Sequence, residues 1–252
     1  MFLRERRNPP LRGILLLAMI VIPLAQGFSF TFEPMSVSIS DSGSGAITTF
    51  KVVNDSKDRI ALRVRITSRD MNDDGTEINQ NIPESLFMIY PSRFIMEPQS
   101  QQLLKVQWLG GSVGSIEKPF RIIVEQVPIQ FEKNQNSGIT IMFKYVGALY
   151  VVPAKALPPN IIITSVKGIR DSDQPGFLIQ LENHGGIHEI LLETQLEITS
   201  NNVRVAMFEP KDLNMIEGQN ILAGKTRRFF IPFVNIEVGQ QYEGRITYNA
   251  EH

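Results

Sequence analysis

Ala46-Ile47-Thr48-Thr49-Phe50-Lys51-Val52-Val53 and, one short turn later, Ile60-Ala61-Leu62-Arg63-Val64-Arg65-Ile66 exchange apolar and polar residues with period two. Successive side chains of a strand point to opposite faces, so this alternation is what a half-buried strand requires. Working outward, strand-like runs recur at 102–108, 120–128, 139–152, 161–166, 177–182, 190–198, 227–233 and 242–248. Between them lie clusters of Gly, Asn, Asp and Ser, such as Asp41-Ser42-Gly43-Ser44-Gly45, Asn72-Asp73-Asp74-Gly75 and His184-Gly185-Gly186. No stretch carries a helical stripe. Many short strands at this spacing predict an all-β sandwich architecture.

The chain has 252 residues, 42% hydrophobic and 20% charged, a globular balance with enough apolar surface for a sizeable core. Lys and Arg number 25 against 26 Asp and Glu, a formal charge of -1 that gives no reason to expect nucleic acid as a partner. Zero cysteines exclude disulfides, thiolate nucleophiles and Cys-containing metal sites, and His184, His188 and His252 are too few for a histidine-rich one. No metal and no cofactor is expected.

Residues 1–27 read as a secretory signal peptide. Arg4, Arg6, Arg7 and Arg12 form a basic leader, residues 14–24 are apolar apart from Pro23, and Ala25-Gln26-Gly27 supplies the small residues that precede cleavage. Cleavage before Phe28 removes four Arg and Glu5, taking the charge from -1 to -4, and the product is expected to be soluble. An exported chain without disulfides must be stable through its core alone.

Pro153, Pro158 and Pro159 mark a boundary, because proline removes ladder donors and stiffens an extended connection. The expected organisation is two immunoglobulin-like β-sandwich domains, 28–152 and 160–252, joined by a Pro-rich hinge at 153–159. Catalytic patterns are scarce: no Gly-x-Ser-x-Gly elbow, phosphate loop or His-Glu-x-x-His is present, and the chain is read as a non-enzyme. His184 and His188 read as part of a turn, and Asn72, Asp73 and Asp74 as a solvated hairpin tip, since the terminal Glu of a calcium loop is missing.

The most unusual run is Ile139-Thr140-Ile141-Met142-Phe143-Lys144-Tyr145-Val146-Gly147-Ala148-Leu149-Tyr150-Val151-Val152. A strand of this length would reach roughly 45 Å, more than one small sandwich needs. Its first part carries large apolar residues on both faces. Two readings follow: an exposed edge that pairs with another chain, or a central strand buried on both sides. Lys144, between Phe143 and Tyr145, must reach water, pair with an acid or bind an anion.

The order of motifs resembles the PapD-like periplasmic chaperones of the chaperone-usher pilus pathway, and the likeness is closest to their divergent, archaic branch. The motifs are Val52-Val53-Asn54-Asp55; Pro91 to Pro98 followed by Leu104-Lys105-Val106; Phe120 to Pro128; the 139–153 run; Leu181-Glu182-Asn183-His184-Gly185; and Ile221 to Arg227. Their order across the mature chain carries the likeness. The resemblance implies a periplasmic chaperone that donates a strand to secreted pilus or fibre subunits with an incomplete immunoglobulin-like fold and passes them to an outer-membrane usher. It implies Ile139, Ile141 and Phe143 as donor side chains and Lys144 as the anchor of the subunit's terminal carboxylate. The pattern departs from the family at the first strand, 32–39, which lacks the expected Arg. The alternatives are an exported structural or adhesive β-sandwich that self-associates through the same strand, and a sandwich hydrolase or carbohydrate binder using Trp108.

Overall fold

The computed structural model describes residues 30–128 and 141–249. Eleven strands come first: β1 (Phe30–Glu33), β2 (Ser36–Ser40), β3 (Ile47–Asn54), β4 (Ile60–Ser68), β5 (Asp70–Met71), β6 (Glu77–Ile78), β7 (Phe87–Tyr90), β8 (Arg93–Met96), β9 (Ser100–Trp108), β10 (Lys118–Val127) and β11 (Lys144–Val152). Eight follow: β12 (Ile161–Asp171), β13 (Gln174–Asn183), β14 (Glu189–Ile190), β15 (Leu192–Ser200), β16 (Val203–Phe208), β17 (Asn220–Ile221), β18 (Thr226–Pro232) and β19 (Gln241–Asn249). The helical pieces among the described residues are three single 3₁₀ turns. The protein is all-β, two immunoglobulin-like sandwiches.

In the first sandwich, sheet β1-β3-β9-β7 faces sheet β2-β11-β10-β4-β8. The alternation seen in sequence explains the packing: Phe50 and Val52 of β3, Leu62 and Val64 of β4, and Ile122 and Val124 of β10 all point into one core, joined by Phe30, Phe32 and Trp108. The second sandwich is built from the sheet β16-β15-β19-β12-β13-β18 and the small pair β14-β17. Its core gathers Phe177, Ile179, Leu181, Leu196, Ile198 and Ile231, among others.

Asn54 and Asn183 play matching roles at the ends of β3 and β13, and both are fully buried. Asn54 Nδ2 donates to the carbonyls of Asp58 and Glu97, each at 2.9 Å, while its Oδ1 accepts from Ser56 N (3.1 Å) and Oγ (2.7 Å). Asn183 Nδ2 donates to Ile187 O (2.8 Å) and Ile221 O (3.1 Å), and its Oδ1 accepts from Gly185 N at 2.8 Å. An amide with both ends satisfied is a low-cost way to bury a turn.

The 139–152 run is not one continuous strand. Residues 139 and 140 lie outside the described residues, 141–143 carry no strand assignment, and β11 is a 9-residue strand that starts at Lys144. The proline segment is packed rather than free. A Cβ on Gly185 would collide with the Pro158 carbonyl and with Pro159, so only glycine lets the 184–186 turn close against 158–160.

Candidate functional site

Two features stand out: the exposed start of β11 and the junction where its far end meets the second sandwich.

β11 pairs with β10 from Lys144↔Glu125 to Val151↔Lys118. On its other side β2 pairs in parallel only from Ala148↔Ser36 onward. Backbone groups of a strand alternate sides. Phe143 N donates to Gln126 Oε1 at 2.8 Å, Phe143 O accepts from Gln126 N at 3.0 Å, and Ala148 N reaches across to Met35 O at 2.7 Å. The N–H and C=O of Lys144 and Val146 therefore face the side where β2 has not begun. The second half of β11 is a central strand, and its first half is an edge.

Side chains follow the same division. Phe143 and Tyr145 lean on the first core, and Tyr145 also donates its hydroxyl to Phe30 O at 2.7 Å. Leu149 and Val151 are fully buried on that face. Gly147 lies between Tyr145 and Leu149, where a Cβ would come within 3.1 Å of the Phe32 ring. On the opposite face Lys144 and Val146 are exposed, whereas Ala148 and Tyr150 are buried. Of the residues predicted from sequence, Ile139 lies outside the described residues, Ile141 is 70% exposed, Phe143 is half-buried and Lys144 is exposed.

Tyr150 is the hub of the junction. With Met71, Ala148 and Leu222 it forms a small apolar cluster between the sandwiches. Its hydroxyl accepts from Arg69 Nη1 (2.6 Å) and Asn220 Nδ2 (2.9 Å). Burial pushes the phenol's pKa up, against the pull of Arg69. Its ring stacks on His188 with centroids 3.6 Å apart. The side chain of Glu117 is fully buried; it takes the His188 ring at 2.9 Å and the His188 backbone N–H at 2.7 Å. Glu77 bridges Arg69 (2.8 Å) and Arg121. Burial alone would raise the Glu77 carboxyl, but these two guanidinium groups hold it below the usual carboxylate range.

The turn read as a solvated tip is part of this junction. Asp73 pairs with Arg228 at 2.8 Å, Asp70 with Lys225 at 2.7 Å, and Gly75 lies directly against the Arg227 guanidinium. Arg227 is buried and bonds to Asn220 O (3.0 Å) and Gln219 Oε1 (3.1 Å). Desolvation lowers its pKa. The cations gathered at the junction are therefore Arg69, Arg121, Lys225, Arg227 and Arg228. Lys144 sits on the same face of β11 as Ala148, four residues and about 13 Å before the junction begins. One signal for Arg69 was readable, since Arg63, Arg65, Thr67 and Arg69 continue one outward alternation.

The structure thus joins two immunoglobulin-like sandwiches, a strand half open at its edge and a polar junction between the two. The chain belongs to the family described as pili and flagellar-assembly chaperone, PapD N-terminal domain, which matches residues 31–156. No curated protein matches the chain. Among solved structures, the class 5 fimbriae chaperone CfaA is similar with a TM-score of 0.55 at 13% identity, over 88% of this chain and 100% of that one. The archaic Csu pili pre-assembly complex of Acinetobacter baumannii, between chaperone CsuC and tip adhesion subunit CsuE, gives 0.52 at 14%, over 80% and 89%. The Salmonella enterica SafB chaperone, solved in complex with the SafA pilin, gives 0.54 at 14%, over 88% and 97%. These identities speak to the fold.

Proposed function

We propose that the protein is a periplasmic chaperone that pairs the free edge of β11 with a secreted fibre subunit and hands it to an outer-membrane usher. The observation that carries this reading is that, among the described residues, no strand pairs with the outer side of Lys144 and Val146, beside the exposed Ile141. A strand edge with backbone groups and an apolar side chain on offer is the surface that β-augmentation uses. The family membership and the subunit-bound relatives support the same reading. In it, the mature chain starts at Phe28, Ile139, Ile141 and Phe143 fill the subunit's groove, and Lys144 holds its terminal carboxylate by a charge-assisted hydrogen bond.

Each donor side chain buried contributes about 1.5 to 3 kcal/mol before association costs. Ile141→Asp, on a side chain that is already exposed, should leave folding unchanged and abolish co-purification with a co-expressed fibre subunit. Retention of the subunit by the variant would sink the donor assignment. Lys144→Met tests the anchor: equal subunit affinity for variant and wild type would remove Lys144 from the reading without touching the edge. Association of the purified chain with itself through the edge, without a subunit, would favour a self-assembling sandwich instead.

A further inference from the structure

The outward face of the sheet that contains β11 carries a row of charge that strand pairing does not use. Cross-strand register aligns Arg93 of β8 with Arg63 of β4, Arg63 with Glu125 of β10, and Glu125 with Lys144 of β11. The row crosses four strands and spans about 14 Å at about 4.8 Å per strand. Arg65, in register with Ile123, adds a cation in the next row.

Glu125 is the acid of this ladder, and its carboxylate is occupied. It accepts from Arg63 Nη2 (2.6 Å) and Nε (3.0 Å) and from Arg65 Nε (3.3 Å). Arg93 and Lys144 are exposed and form no ion pair among the described residues. Four cations against one carboxylate leave this face with a formal charge of +3, in a chain whose total is -1.

Apolar rows flank the charge. Ala61, Val127 and the 51% exposed Ile95 lie on one side, and on the other the exposed Val146, next to the buried Ile123. Leu62, Phe94, Ile95 and Val127 line a shallow groove together with Arg63 and Arg93. A small free anion has no use for such rows, whereas a polypeptide that alternates carboxylates with apolar side chains matches both. Lys144 belongs to the ladder and to the open edge at once. A chain paired at that edge lies within about one strand spacing, 4.8 Å, of the ladder's end.

We propose that this ladder docks an acidic segment, with apolar residues between its carboxylates, on the fibre subunit held at the β11 edge. That the occupant is a fibre subunit rests on the chaperone reading; the ladder's preference for an anionic polypeptide does not.

The probe is a short peptide of alternating glutamate and valine, blocked at both ends so that it offers no terminal carboxylate, with a glutamine-for-glutamate twin as control. Fluorescence anisotropy with the mature wild-type protein at low salt should show the glutamate peptide binding at least about tenfold more tightly than its twin, an advantage that shrinks at physiological ionic strength. The Arg93→Gln/Lys144→Gln double variant leaves Glu125 with both its partners, and should lose about fivefold in affinity for the glutamate peptide. Lys211→Gln, which removes one exposed cation from the second sandwich, should not change it. Equal binding of the two peptides overturns the proposal, as does a loss seen with Lys211→Gln as large as that of the double variant. If a co-expressed subunit is never recovered while the peptide results hold, the chaperone reading fails and the ladder stands.

Discussion

Tyr150→Phe removes one oxygen atom and nothing else from the junction. The His188 stack keeps its ring, but Arg69 Nη1 and Asn220 Nδ2 lose the acceptor that now lies at 2.6 and 2.9 Å. A hydrogen bond from a charged donor contributes about 1.5–3 kcal/mol and a neutral one about 0.5–1.5, so the variant should be about 2–4 kcal/mol less stable. Trp108 is the sole tryptophan and lies in the core of the first sandwich, so its fluorescence follows that sandwich while circular dichroism follows both. In urea, with a slope of about 2–3 kcal/mol per molar, the midpoint should fall by about 1 M. The two signals should coincide in wild type and separate in the variant, because the junction couples the sandwiches. Tyr145→Phe is the control: it loses one hydroxyl bond to Phe30 O within the first core, and should cost about 1 kcal/mol without separating the signals. A midpoint within about 0.2 M of wild type for Tyr150→Phe would refute the view that the Tyr150 hydroxyl ties the sandwiches together.

Asn54→Ala and Asn183→Ala each leave several buried backbone groups without partners, and each should destabilise its own sandwich by about 3–5 kcal/mol, with the Trp108 signal shifting first only for Asn54→Ala. Glu77 gives the junction an acid limit. Its folded pKa is depressed, so its contribution is complete above the unfolded value of about 4.3 and is lost as pH falls through the lower folded value. Urea midpoints measured from neutral pH down to acid should fall more steeply in wild type than in Glu77→Gln, and parallel curves would remove Glu77 as the cause.

Alternation made the first sandwich legible because β3, β4 and β9 each have, over most of their length, one wet face and one dry face. It also put Arg63 and Arg65 on the outward face of β4. It did not show where β11 gains its second partner: Ile139 to Val152 keeps one period throughout, while β2 arrives only at Ala148. Nor does a period say what an outward residue meets. Tyr150, Glu117 and His188 come from three separate segments, and the turn at Asn72 to Gly75 has the composition of a solvated loop although it packs on Arg227 and Arg228. Pairings of that kind depend on how two sandwiches meet, which local sequence does not encode.

The central claim is that the open side of β11 takes up a subunit strand, and amide hydrogen exchange reads that side directly. The Lys144 and Val146 amides face the open side, while the Tyr145 amide faces β10. In the free protein Lys144 and Val146 should exchange quickly and Tyr145 slowly. With a co-expressed fibre subunit bound, Lys144 and Val146 should become protected by about tenfold or more, with Tyr145 little changed. A stable complex in which Lys144 and Val146 exchange as fast as in the free protein would contradict the account.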